Sequence, residues 1–384
     1  MKKICLLGST GSIGRQTLEI VKSRPDDFRI FALAYGYNIG LLQKQIEIFK
    51  PKLVSVAEKE DAVLLKDAYP DIEVLSGGSG LIRLATVYPE DKDMIVVNAL
   101  VGIAGLGPTV ATLESGREIA LANKESLVAG GALVKKAREK TGAIIRPIDS
   151  EHSGLWQCLE GEKPESIRKV YITASGGAFR DLSRSQLKNV NAEDALKHPN
   201  WKMGKKVTVD SATMINKRFE MIEAHYLFDI PMANIVPLLH RESLVHGMVE
   251  FTDGSIVAQM STHDMRLAIA HALDWPKRNP GLTNFMDFGK AVTLDFEPID
   301  HKRYPMIDLA ISAMEKGDTY PAVLNGANEA AVGLFLKGDI GFLDIEEIVE
   351  KALKEHKPIP DPTLENILDT DQKTKEAIIG KYSK

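Results

Sequence analysis

Three carboxylates, Asp149, Glu151 and Glu220, and the amide, ammonium and hydroxyl side chains around them in the sequence are the residues best able to do chemistry. The segment Val207 to Glu223 reads VTVDSATMINKRFEMIE. Its β-branched start, Val207-Thr208-Val209, predicts a strand that turns at Asp210-Ser211 into a helix, with Ser211 near the helix N-terminus. On that helix Asn216 and Glu220, four residues apart, share a face and Lys217 lies about a quarter turn away. Upstream, Ile144 to Ile148 predicts a strand ending at Asp149, and in extended chain Asp149 and Glu151 project to one side. Neighbouring carboxylates repel unless a cation lies between them. An all-oxygen donor set without a Cys or a matched His pair suits a hard ion, Mg²⁺ or Mn²⁺, better than zinc. Spacing does not choose between Glu220 and Glu223, and in a chain with 26% charged residues ordinary surface acids are the competing reading.

Such residues need elements to position them. Lys3 to Leu7 reads as a buried strand, Gly8-Ser9-Thr10-Gly11-Ser12-Ile13-Gly14 as a tight turn and Arg15 to Lys22 as a helix. That order makes the phosphate cradle of a dinucleotide-binding unit, although its spacing is GxxGxxG rather than GxGxxG. Further strand-like runs at 29–34, 53–56, 94–98 and 118–122 alternate with helical segments, which predicts a doubly wound, Rossmann-like sheet. After the second strand comes Ala34-Tyr35-Gly36-Tyr37-Asn38. No acid stands there to repel a 2′-phosphate, which points to NADP, but Tyr37 occupies the natural place for a phosphate-binding Arg or Lys. The run at 118–122 leads into Asn123-Lys124-Glu125, at the sheet edge where ligands bind in such folds.

Val170 to Thr173 predicts a strand running into Ser175-Gly176-Gly177, a turn able to wrap an anion with backbone N–H groups. The loop from His198 to Gly204, with Trp201 at its middle, has the make-up of a lid that excludes water on closing. His240, His246 and His263 lack metal-pair spacing and read as structural. Pro, Gly and Asn become frequent around Trp275 to Pro298, and helical periodicity dominates from Met306 onward. The expected domains are therefore 1–149 for cofactor, 150–274 for catalysis, a linker at 275–300 and a helical bundle at 301–384.

The 384 residues, 44% of them hydrophobic, are enough for two or three domains. A net charge of −5 without any Lys/Arg-rich run excludes a nucleic-acid footprint. Cys5 and Cys158 have no ligand or disulfide pattern, and no run approaches the ~20 apolar residues of a membrane span. A cytoplasmic protein is expected.

Taken in order, GSTGSIG, LANKESLV (Leu121 to Val128), DSEHS (Asp149 to Ser153), TASGGAFR (Thr173 to Arg180), HPNWKMGKK (His198 to Lys206) and VDSATMINK (Val209 to Lys217) closely resemble the signatures of the 1-deoxy-D-xylulose 5-phosphate reductoisomerase family. The resemblance spans essentially the whole chain. It implies NADPH-dependent, divalent-metal-dependent rearrangement and reduction of 1-deoxy-D-xylulose 5-phosphate to 2-C-methyl-D-erythritol 4-phosphate in isoprenoid precursor synthesis, by a homodimer. It further implies that Asp149, Glu151 and Glu220, rather than Glu223, ligate Mg²⁺, Mn²⁺ or Co²⁺. Ser175, Ser211, Asn216 and Lys217 would hold the substrate phosphate. Lys124, Ser150, Glu151 and His198 would meet its carbon chain and hydroxyls, with Lys124, Glu151 and His198 catalytic. Thr10, Gly11, Ser12, Ile13, Gly36, Asn38, Asn123, Glu125 and Gly204 would contact the cofactor. The chain departs from the family pattern at Tyr37 and at Arg218-Phe219, which replaces a smaller, Gly-containing pair. Two other classes fit part of the pattern: a metal-independent NAD(P) dehydrogenase of a small hydroxy or semialdehyde substrate, and a non-catalytic NADP sensor.

Overall fold

The computed structural model describes residues 1–383 except Pro89 and Lys92. The chain forms two compact units, one made of 1–126, 132–153 and 264–284, the other of 127–131, 154–263 and 285–384.

In the first unit a seven-stranded sheet contains β1 (Lys2–Leu7), β2 (Phe28–Ala34), β3 (Leu53–Val56), β4 (Glu73–Ser76), β5 (Met94–Asn98), β6 (Ile119–Leu121) and β7 (Ile145–Pro147). Their order is β4-β3-β2-β1-β5-β6-β7 and every pairing is parallel. Ile4 to Leu7 and Met94 to Asn98 are wholly buried, as strands covered on both faces must be. The chain enters at the centre, winds out to β4 and returns to β5 beside β1. That reversal creates the crevice at the carboxyl ends of the strands where α/β folds bind ligands. The expected strands and the doubly wound form are found; β4 was not anticipated, because EVLS is too short to carry a periodic signal. The helix Met265–Asp274 buries Ile269, Ala272 and Leu273 in one cluster with Ile4, Leu18 and Leu33. These residues therefore belong to the first unit and not with 150–263, where the sequence put them.

The second unit holds β8 (Ile167–Ala174), β9 (Ile235–Leu239), β10 (Val245–Phe251), β11 (Ile256–Met260) and β12 (Glu297–Pro298), ordered β11-β10-β8-β9-β12. Only β8 and β9 are parallel. The helices Met306–Lys316, Tyr320–Lys337, Asp344–Glu355 and Leu364–Tyr382 form the expected bundle. On Asp344–Glu355 the buried Ile345, Ile348, Val349 and Leu353 recur at helical spacing, and three acids in the first turn complement the helix dipole. The bundle has no separate core. Leu324, Phe335 and Ile345 are buried in one cluster with Val209, Phe219 and Ile222, so the terminal helices support the helices that carry Ser211 and Glu220.

Candidate active site

In the first unit the glycine turn joins β1 to the helix Ser12–Ser23. A Cβ at Gly14 would lie 2.2 Å from the Gly8 carbonyl oxygen, and one at Gly8, itself at φ +83°, would lie 2.4 Å from that of Ala99. Only glycine permits this packing. No side chain caps the helix, so Gly11, Ser12 and Ile13 bring an uncapped N-terminus to the sheet edge, the arrangement that receives a phosphate. Thr10 donates to the Tyr37 carbonyl at 3.0 Å. Asn38, at φ +80°, caps the next helix by accepting from Leu41 N–H at 3.1 Å. A Cβ at Gly36 would meet nothing within 4 Å, and Tyr37 is 86% exposed. The geometry thus suits a dinucleotide and leaves Tyr37 reaching into solvent.

Asn123 is fixed between strand ends, its amide donating to the carbonyls of Leu100 at 3.0 Å and Gly102 at 2.9 Å and to Glu125 at 3.1 Å. Beside it Lys124 Nζ lies 2.7 Å from Asp149 Oδ2, and His152 Nδ1 lies 3.8 Å from the other oxygen. Burial opposes ionisation of Asp149, but Lys124 and then His152 outweigh it and hold the carboxyl well below the usual carboxylate range. Ser150 donates to Glu151. The strand stops at Pro147 and Ser150–Leu159 is a helix, so Glu151 sits in its first turn rather than in the extended chain expected. A carboxylate there is favoured by the helix dipole, and Ser153 N–H donates to the Asp149 carbonyl at 2.8 Å.

The second unit carries Ser175, Ser211, Asn216 and Lys217, the residues expected to meet a phosphate. Val207 to Val209 is not a strand but part of the helix Lys205–Ala212, which puts Ser211 in its last turn and not near an N-terminus. Burial of Thr208 and Val209 overrides β-branched preference, while Thr208 and Ser211 return their hydroxyls to the carbonyls of Gly204 and Val207, both at 2.9 Å. Met214, at φ +64°, breaks the chain, and a new helix, Ile215–Phe228, presents Asn216 and Lys217 in its first turn. Both reach Glu220, one to each carboxylate oxygen. Glu223 is also fully buried. Phe219 lies in the core and burial pushes Arg218 down to about 10, so the unusual pair is absorbed by packing.

The Ser175 turn lies against the end of the Lys205–Ala212 helix, where a Cβ at Gly177 would come 2.6 Å from the Ser211 carbonyl oxygen. Ser175 Oγ is 2.8 Å from His198 Nε2. His198 Nδ1 accepts from the N–H groups of Trp201 at 2.9 Å and Asn200 at 3.2 Å. The ring proton is therefore on Nε2, directed at Ser175. Burial, with Arg180 and His263 nearby, pushes His198 down to about 4, which keeps it neutral. Trp201 makes edge contacts with His246 and His263, ring centroids 5.9 and 5.4 Å away. A Cβ at Gly204 would meet nothing within 4 Å.

The supporting contacts of Arg180, Asp210 and Asn328 escaped the sequence reading. Arg180 donates to the carbonyls of Ser175 at 3.0 Å and Arg241 at 3.1 Å, fixing the anion-type turn. Asp210 accepts from Asn328 at 2.9 Å and pairs with Lys206 at 2.7 Å, tying the segment after the Trp201 loop to the terminal helices. Arg180 had a local cue five residues after Ser175; the partnership of Asp210 with Asn328 had none.

Asp149 and Glu151 in the first unit and Glu220 in the second each offer carboxylate oxygens, a donor type that suits a hard divalent ion. Lys124 and Lys217 keep Asp149 and Glu220 neutralised within their own units.

Family models for 1-deoxy-D-xylulose 5-phosphate reductoisomerase match residues 4–131, and models for its C-terminal domains match 145–228 and 260–377. The chain is 48% identical over 385 residues to the 1-deoxy-D-xylulose 5-phosphate reductoisomerase of Caldanaerobacter subterraneus subsp. tengcongensis, covering 100% of both. It is 47% identical to that of Geobacillus sp. (strain WCH70) over 98% of this chain and 99% of the relative. Among solved structures, the Zymomonas mobilis reductoisomerase in complex with NADPH aligns with TM-score 0.91 and 37% identity, over 100% and 99% of the two chains. A DOX-P reductoisomerase in complex with NADPH, fosmidomycin and magnesium aligns with TM-score 0.93 and 37% identity, over 100% and 98%.

Proposed function

The chain belongs to the 1-deoxy-D-xylulose 5-phosphate reductoisomerase family, and from that membership we propose that it rearranges 1-deoxy-D-xylulose 5-phosphate and reduces the product with NADPH to 2-C-methyl-D-erythritol 4-phosphate, using a divalent ion, in isoprenoid precursor synthesis. The observation that carries the reading is the full-length likeness to reductoisomerases, including one solved with NADPH and magnesium. A metal-independent dehydrogenase and a cofactor sensor are not favoured, because the likeness runs through every segment bearing a site residue.

Asp149, Glu151 and Glu220 would hold Mg²⁺ or Mn²⁺, with Co²⁺ a third candidate. The ion supplies Lewis-acid stabilisation of charge developing on substrate oxygens. NADPH supplies the hydride, and Thr10, Gly11, Ser12, Ile13, Gly36, Asn38, Asn123, Glu125 and Gly204 are its proposed contacts. Ser175, Ser211, Asn216 and Lys217 bind the phosphate. Because His198 donates its Nε2 proton to Ser175, the Ser175 hydroxyl keeps its own proton for a phosphate oxygen. Lys124 keeps Asp149 ionised and, with Ser150 and Glu151, meets the substrate hydroxyls as a polarising and proton-transferring group. Trp201 covers the substrate and excludes water.

A homodimer is supported by the edge strand β11, where Ile256 and Val257 are 56% and 45% exposed, and by Phe285, 98% exposed. Apolar open edges of this kind seek a partner. Sedimentation should give a dimer that Ile256→Lys weakens. A cytoplasmic setting is supported by two free, buried cysteines, and no helix among the described residues is long and apolar enough to cross a membrane.

The function is tested by following nicotinamide absorbance with 1-deoxy-D-xylulose 5-phosphate, NADPH or NADH, and Mn²⁺ or chelator, with the product identified by NMR. Metal-dependent NADPH oxidation yielding 2-C-methyl-D-erythritol 4-phosphate is expected. No oxidation with either coenzyme would overturn the proposal, and oxidation that survives chelation would overturn the role of the metal.

A further inference from the structure

A cavity of about 390 Å³ opens between the helices Asp344–Glu355 and Leu364–Tyr382 of the second unit. We propose that this groove binds a small amphiphilic anion, an organic phosphate with a short aliphatic body. Its floor is apolar: Val323, Ile348 and Ile378 are only 2, 4 and 7% exposed. Its rim is basic. Lys351, Lys357, Lys373 and Lys381 line it against the two carboxylates Glu355 and Asp369, in a chain whose net charge is −5.

The pairing around the rim is incomplete in a specific place. Lys373 meets Asp369 at 2.6 Å, but Lys351 reaches Glu355 only at 3.8 Å. Lys351 and Lys381 both line the cavity, so two ammonium groups share this part of the rim. Adjacent ammonium groups repel, whereas an anion between them accepts from both and removes the repulsion. His356 does not add charge, because burial lowers it and its Nε2 bonds Thr319 Oγ1 at 2.7 Å.

The volume falls within the range of ~300–1,000 Å³ usual for small-molecule sites. A phosphate fits lysines, which bind it as point charges, and an aliphatic body fits the Val and Ile floor. Of the two rings in the lining, Tyr382 has Lys381 Nζ over it, 5.4 Å from the centroid, and His356 packs edge-on against Tyr320 at 5.0 Å, so a nucleobase finds no free stacking platform.

Calorimetric titration of the full chain with n-butyl phosphate, inorganic phosphate and n-butanol tests this. Because the proposed catalytic site also takes phosphate, the comparison is between the wild type and Lys351→Gln/Lys381→Gln, whose NADPH oxidation should be unchanged. The expected result is one fewer butyl phosphate site in the Gln variant, retention of that site in Lys351→Arg/Lys381→Arg, and at least tenfold weaker binding there of inorganic phosphate and of butanol. An identical titration of wild type and Gln variant would overturn the proposal, as would equal affinity of the site for butyl and inorganic phosphate.

Discussion

The half-buried Asp149 and the buried Glu220 are both carboxylates with a lysine against them, and they are built in opposite ways. Asp149 is held across the sheet edge, by Lys124 from the chain after β6 and by His152 one helical turn on. Glu220 is held within one helix, both oxygens taken by Asn216 and Lys217 from the preceding turn. The first arrangement fixes a charge: Asp149 is ionised whether or not a ligand arrives. The second stores a choice, since Asn216 and Lys217 are also the proposed phosphate binders. A substrate phosphate that draws them away would release Glu220 oxygens, so substrate and metal should bind this half of the site cooperatively.

Glu220→Gln should lower kcat/KM by about a thousandfold, the scale of the several kcal/mol a metal contributes, while leaving NADPH affinity unchanged by fluorescence titration. Asp149→Asn should add a stability loss of ~1–2 kcal/mol at pH 7 in denaturant unfolding, because it removes the carboxylate that faces the half-buried Lys124 at 2.7 Å. The sign follows from the lowered carboxyl: its contribution is present above the ordinary Asp range near ~3.9 and is lost as pH falls through the folded value, so mutant and wild type should converge in acid.

His198→Gln should cost ~10–100-fold in kcat/KM, the value of one or two hydrogen bonds to a neutral partner, with the circular dichroism spectrum preserved. His198 is held near 4, so the unfolded chain takes up its proton first as pH drops below 6.5. Stability should therefore decline from about pH 6.5 to 4 less steeply in the Gln variant, and the wild-type rate profile should show no inflection near 6.5 from this residue. Tyr37→Arg, at an exposed position, should tighten NADPH by no more than ~5-fold relative to NADH in paired titrations, the scale of a surface ion pair.

The sequence was most readable where backbone contacts decide. Gly8 and Gly14 can be nothing larger, and the buried runs of β1 and β5 announce a parallel sheet. The resemblance of the signatures also supplied the proposed site residues, Asp149, Lys124 and His198 among them. Local geometry was less readable where tertiary burial decides. Val207 to Val209 looks extended but is helical because Thr208 and Val209 are buried, and Ser211 moves from a helix start to a helix end as a result. The strand was expected to end at Asp149 with Asp149 to Glu151 extended, yet the helix begins at Ser150. The terminal bundle read as a domain of its own because periodicity reports an apolar face without saying what covers it; Phe335 and Ile345 share a core with Phe219.

Whether Asp149, Glu151 and Glu220 together hold a hard ion is read out by Mn²⁺ electron paramagnetic resonance titration of the wild type and of Asp149→Asn, Glu151→Gln, Glu220→Gln and Glu223→Gln. One Mn²⁺ per chain in the wild type and in Glu223→Gln, with at least tenfold weaker binding in the other three, is the predicted result. Mn²⁺ bound equally well by Glu220→Gln, or lost only in Glu223→Gln, would contradict it.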